Sequence, residues 1–104
     1  MSDEALGAFD EQILLAVLHA RDEAYGMNVR REIEARTDRE VSIGAVYATL
    51  DRLEAKGLVS SDRVAAEGGS RRVFAVTAAG TRALVETRAV RDRLWAGVMI
   101  PNPR

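Results

Sequence analysis

The side chains of this 104-residue chain that can do chemistry are few and mostly of one kind. It has no cysteine and a single histidine, His19, so no disulfide, cysteine-ligated zinc site or thiolate nucleophile can be built. One histidine without a glycine-rich nucleophile turn also leaves no serine, aspartate and histidine set for catalysis. His19 reads as a helix-end residue, and neither a metal nor a cofactor is implied. What remains is arginine, most pointedly Arg52 within residues 41–57 and Arg71 with Arg72 further on. A guanidinium offers a planar fork of donors that matches a phosphate or a guanine edge. Binding, not turnover, is the chemistry these residues supply.

Residues 41–57 (VSIGAVYATLDRLEAKG) show how Arg52 is presented. Ser42 is placed to cap a helix with its hydroxyl, and Gly57 supplies the left-handed residue that stops one. Ile43, Val46, Leu50 and Leu53 recur at three- and four-residue spacing and form one buried stripe. The opposite face carries Gly44, Ala45, Ala48 and Arg52. Small residues let a backbone approach a surface closely, and one arginine projects far enough to reach a base edge or a phosphate. This pattern suits the recognition helix of a helix-turn-helix unit in a DNA major groove.

Helices at 9–21 (Phe9, Ile13, Leu14, Val17, Leu18, largely buried) and from Met27 through Ile33 precede it, separated by a turn at 23–26. After Gly57 the period changes. Residues 58–64 and 71–76 read as two short strands around the loop 65–70, which is a wing. Thr77 then caps a last helix from Ala78, with Gly80 tolerated in its first turn and Pro101 and Pro103 ending it. The expected fold is mainly α with a small β-wing: a winged helix-turn-helix domain over 1–77, and a C-terminal dimerisation helix and tail over 78–104. Leu84, Val90, Leu94, Trp95 and Val98 give the last helix more apolar surface than a small core can cover, so self-association into a homodimer is expected.

Composition agrees with one small domain, at 47% hydrophobic content. The longest apolar run, 13–18, is far below the roughly 20 residues that span a bilayer. The acidic start at Asp3 and Glu4 lacks the basic opening of a signal peptide. A soluble, cytoplasmic protein without membrane contact is expected. The net charge of −1 argues against nucleic acid when taken alone. Its distribution weakens that objection, because residues 63–72 hold Arg63, Arg71 and Arg72 against Glu67.

The order of elements and several segments resemble the PadR family of winged-helix transcription regulators. The likeness is carried by Ala24-Tyr25-Gly26 with Ile33-Glu34-Ala35-Arg36-Thr37, by 41–47 followed by Leu50-Asp51-Arg52-Leu53-Glu54-Ala55-Lys56-Gly57-Leu58-Val59, and by 69–80 ending in Thr77-Ala78-Ala79-Gly80. Ile43 and Ala48 stand where many members have prolines, and Val73-Phe74 stand where the wing usually has two tyrosines. One helix after the wing resembles the small, single-helix subgroup. The resemblance implies a homodimeric repressor with crossed C-terminal helices, bound to a pseudo-palindromic operator and controlling a neighbouring transporter or detoxification gene. The residues then facing double-stranded DNA are Ser42, Gly44, Ala45, Tyr47, Ala48, Thr49 and Arg52 on the helix, and Arg71 and Arg72 on the wing.

Each of these has a plainer alternative. Tyr47, at the stripe's edge, is either a phosphate ligand or a core residue with its hydroxyl outside. Arg52 either faces DNA or pairs with Glu32 or Asp51. Arg71 and Arg72 alternate faces along a strand, so at most one points steadily at a phosphate. Trp95 is a dimer anchor or a stacking surface for a small aromatic effector. For the whole chain, the alternative to a DNA-binding regulator is a winged helix used as a protein-interaction module.

Overall fold

The computed structural model describes residues 6–102, and Asp3, Glu4 and Pro103 lie outside the described residues. Helices α1 (Ala8–Ala20), α2 (Gly26–Thr37) and α3 (Ile43–Ala55) precede the antiparallel strands β1 (Val59–Ala66) and β2 (Gly69–Val76), and α4 (Ala78–Trp95) follows. The chain is mostly helical with a two-stranded sheet, as the sequence patterning requires.

The core forms where the apolar stripes converge. Ile13, Leu14 and Val17 of α1 meet Val29 and Ile33 of α2, and Val46, Leu50 and Leu53 of α3, with Val59 and Phe74 at the sheet's root. Full burial of each large side chain contributes about 1.5–3 kcal/mol. Leu18 was expected inside but is 48% exposed, sharing the outer face of α1 with Leu15 at 41%. Its place one residue beyond Val17 turns it about 100° away from the core line.

The strands are longer than expected and the loop is shorter. Pairing runs from Val59↔Val76 to Ala66↔Gly69, leaving Glu67 and Gly68 as the tip. Gly68 at φ +83 takes the left-handed turn there, where a side chain would be strained. Phe74 anchors the root, fully buried, with its N–H donating to the Ala24 carbonyl at 2.9 Å.

Three findings correct the reading of α4. Gly80 is required: a Cβ there would strike the Leu58 carbonyl oxygen, because α4 crosses the end of the wing at backbone contact. Thr77 fixes that crossing, accepting from Gly80 N at 3.0 Å and donating to the Gly57 carbonyl at 2.7 Å. The helix also stops at Trp95, so Val98 lies beyond it. The stop is made by Gly97 at φ +79 and a Val98 N–H bond to the Trp95 carbonyl, before either proline. Leu84, expected at a dimer contact, is 8% exposed and belongs to this chain's own core. Among the described residues no helix is long and apolar enough to cross a membrane, and no cluster of potential metal ligands occurs.

Candidate nucleic-acid interface

The turn from α2 into α3 is held by polar side chains. Asp38 ends α2 in the left-handed region at φ 58. Glu34 reaches forward to accept the Val41 N–H at 3.0 Å and the Arg30 Nε–H at 3.3 Å. Ser42 then caps α3, its Oγ accepting from Ala45 N at 3.0 Å. With both ends of the turn fixed, the outer face of α3 is set against the body by Val46, Leu50 and Leu53, none of which is exposed.

That face carries exposed Gly44, Ala45 and Ala48, and open space surrounds Gly44. Thr49 does not share it. It is 6% exposed, because one turn beyond Val46 and beside Leu50 it falls on the buried side, which removes it from the outward set. Tyr47 combines its two alternatives: its ring covers Gly26, where any Cβ would collide with it, and lies 6.5 Å from the Phe74 ring, yet the residue stays 36% exposed.

Arg52 departs from both alternatives. Its fork is closed on Asp10 of α1, at 2.7 and 2.9 Å, tying α3 to α1. Glu32 is taken by Arg36 at 2.9 Å and Asp51 by Arg72 at 2.8 Å, so neither is its partner. Arg72 is likewise held within the protein. Its Nη2 lies 2.6 Å from Glu54 and its Nε donates to Ser61 Oγ at 3.2 Å. Arg71 points the other way, with its guanidinium 4.1 Å from the centre of the Tyr25 ring. Arg63 pairs across the hairpin with Arg72 and is exposed, its Nη1 donating to Ser70 Oγ at 3.4 Å. Lys56 is exposed at the exit of α3.

Asp10, Glu54, Ser61 and Tyr25 were missed as the partners of these arginines. Arg52 and Asp10 are 42 residues apart, and Arg72 and Glu54 are 18 apart, so no helical or strand period connects them. The acidic Asp51 and Glu54 and the basic Arg71-Arg72 pair were the one available signal, and only the fold gives it direction.

These pairs make stability acid-sensitive. Asp10 is held below its ordinary 3.8 chiefly by the Arg52 hydrogen bond, Glu34 below 4.5 by the Val41 N–H, and Glu54 below 4.5 by Ser61 and then Arg72. A carboxylate lowered in the folded state contributes fully above its unfolded value and loses that contribution as pH falls through the folded one. The melting temperature should therefore fall once pH drops below about 4.5, checked by circular dichroism melts across a pH series. A melting temperature unchanged down to about pH 3 would contradict these pairings.

A capped helix-turn-helix beside a hairpin wing is a form shared by many proteins, so sequence kinship decides which one this is. The model of the PadR-like transcriptional regulator family matches residues 14–86. The chain belongs to this PadR-like family. The matched span runs from the middle of α1 into α4, covering the turn, α3 and the whole wing. The transcriptional regulator Rv3488 of Mycobacterium tuberculosis is 39% identical over 89 residues, covering 84% of this chain and 82% of that protein. A structure of RosR from H. salinarum superposes with a TM-score of 0.74 at 27% identity, over 94% of this chain and 84% of that one. A PadR family regulator from Eggerthella lenta gives 0.68 at 26% identity, over 82% and 75%. This PadR-like protein is a transcriptional regulator, not an enzyme.

Proposed function

We propose that the regulator is a homodimeric repressor that binds a pseudo-palindromic operator, placing α3 of each protomer in the major groove and each wing over flanking phosphates. The observation that carries the reading is the exposed, small-residue face of α3, with exposed arginine on the adjoining wing, in a member of a transcriptional regulator family. Ser42, Gly44, Ala45, Tyr47 and Ala48 are the helix residues assigned to DNA. Arg63, Arg71 and Lys56 carry the phosphate charge, while Arg52 and Arg72 orient the elements. Control of a neighbouring transporter or detoxification gene is the regulatory role assigned to it.

Self-association is assigned to residues 78–104, and DNA binding to 1–77. Leu94, Trp95 and Val98 are 72, 59 and 52% exposed, followed by Met99 at 88% and Ile100 at 62%. Large apolar side chains exposed over so short a stretch support an interaction site there. Val90 is half-buried and lines a groove of about 440 Å³ between α1 and α4 with Leu6, Leu15 and Arg91, and a second copy would extend that groove. Trp95 lies outside the groove and acts as a dimer anchor. Stacking of a small aromatic effector on the same indole is the regulatory variant of this reading.

Fluorescence anisotropy against a random-sequence duplex and a selected duplex across a salt series tests the function. Two protomers, each with the three cations assigned to phosphate, should give a log–log salt slope of roughly −5, at about 0.9 per phosphate neutralised. An affinity for protein partners with no salt-dependent DNA binding would support the interaction-module alternative, which the net charge of −1 favours.

A further inference from the structure

The wing is a two-stranded hairpin, and such hairpins are marginal when isolated. Its root is secured by buried Val59 and Phe74, but Asp62, Arg63, Val64 and Ala65 are exposed. Where the hairpin leaves the body, one side chain gathers three partners. Arg72 lies 2.8 Å from Asp51 and 2.6 Å from Glu54, both on α3, and donates to Ser61 Oγ at 3.2 Å on the facing strand. Ser61 in turn donates to Glu54 at 2.9 Å. The guanidinium also lies 4.7 Å from the centre of the buried Phe74 ring. Arg71, on the opposite face of the strand, rests on Tyr25 just before α2. The hairpin is thus braced from both sides at its point of exit.

We propose that Arg72 is a positioning residue that fixes the pitch of the wing against α3 through Asp51, Glu54 and Ser61, leaving the phosphate contact on that face to Arg63. A planar fork suits this work, since it bonds two carboxylates and a hydroxyl at once while an ammonium cannot match the geometry. Reaching a phosphate would require Arg72 to leave both carboxylates, whereas Arg63 is exposed and, among the described residues, bonded only to Ser70. The inference rests on the DNA-binding reading.

The test uses the full chain and a duplex enriched by the wild type from a randomised library, with salt slopes measured for Arg72→Gln, Arg72→Lys, Glu54→Gln, the Arg72→Gln and Glu54→Gln double variant, and Arg63→Gln. Positioning predicts that Arg72→Gln, Arg72→Lys and Glu54→Gln each weaken binding about tenfold with an unchanged slope, and that the double variant is no worse than either single. Arg63→Gln should reduce the slope by about one. Glu54→Gln decides the sign: removing a carboxylate near phosphates should tighten binding if Arg72 were a DNA ligand, and loosen it if the brace matters. A slope reduced by Arg72→Gln, near-wild-type binding by Arg72→Lys, or tighter binding by Glu54→Gln would overturn the proposal. Should Arg72→Gln fail to fold, Arg72→Lys and the nearly isosteric Glu54→Gln give the same decision. A wild type that enriches no duplex would defeat the DNA reading itself, and this inference with it, whereas specific binding with a reduced Arg72→Gln slope defeats the inference alone.

Discussion

Leu94→Asp should halve the mass in solution and weaken operator binding by about a hundredfold or more, because a single half-site loses the effective concentration that its partner supplies. Leu94 is 72% exposed in the single chain, so the substitution leaves the fold alone, within about 0.5 kcal/mol. In a dimer the same carboxylate is buried against apolar neighbours without a partner, which is strongly unfavourable. Light scattering and anisotropy on the same sample check both effects. An unaltered mass would place the dimer contact elsewhere. Leu84→Asp is the informative contrast: that residue is in the core, and its substitution should unfold the protein instead of dissociating it.

Gly80→Ala should lower the melting temperature by roughly 10–20 °C, corresponding to about 2–3 kcal/mol of overpacking. Two effects compete. Alanine is better than glycine inside a helix by about 1 kcal/mol. Against it stands a collision with the Leu58 carbonyl oxygen and the Val76 side chain. The Leu58 carbonyl is backbone, held by the Thr77 N–H at 3.1 Å, and cannot swing aside as the end of a side chain would, so the collision dominates. Gly44→Ala is the control, since open space surrounds Gly44 and the melting temperature should rise slightly. Thermal melts that rise for both variants would show that α4 can step back from the wing.

Local features were legible before the fold was known. The cap at Ser42, the left-handed Gly57, the stripe of Ile43, Val46, Leu50 and Leu53, and the cap at Thr77 are encoded within a few residues each, and all occur as read except that Ile43 is only half-buried. The family resemblance, carried by those same segments, was equally legible. What escaped depends on contacts distant in sequence. Nothing local to Arg52 points to Asp10 on another helix, and nothing local to Arg72 points to Glu54 and Ser61, which approach it only once the hairpin folds back on α3. Thr49 failed for a narrower reason. A polar residue on a helix of alanines invites an outward assignment, while the 100° step places it beside Leu50 and Leu53. Gly80 read as a tolerated helix glycine, since only the crossing of α4 over Leu58 reveals the lack of space.

The central claim is a dimer with α3 of each protomer in the major groove, and hydroxyl-radical footprinting of the wild-type protein on its selected duplex tests it most directly. Two symmetric protected patches on one face of the DNA, with centres about 10 base pairs or a multiple apart, are predicted, and both should vanish together in Leu94→Asp. A single protected patch, or protection that persists unchanged in Leu94→Asp, would contradict it.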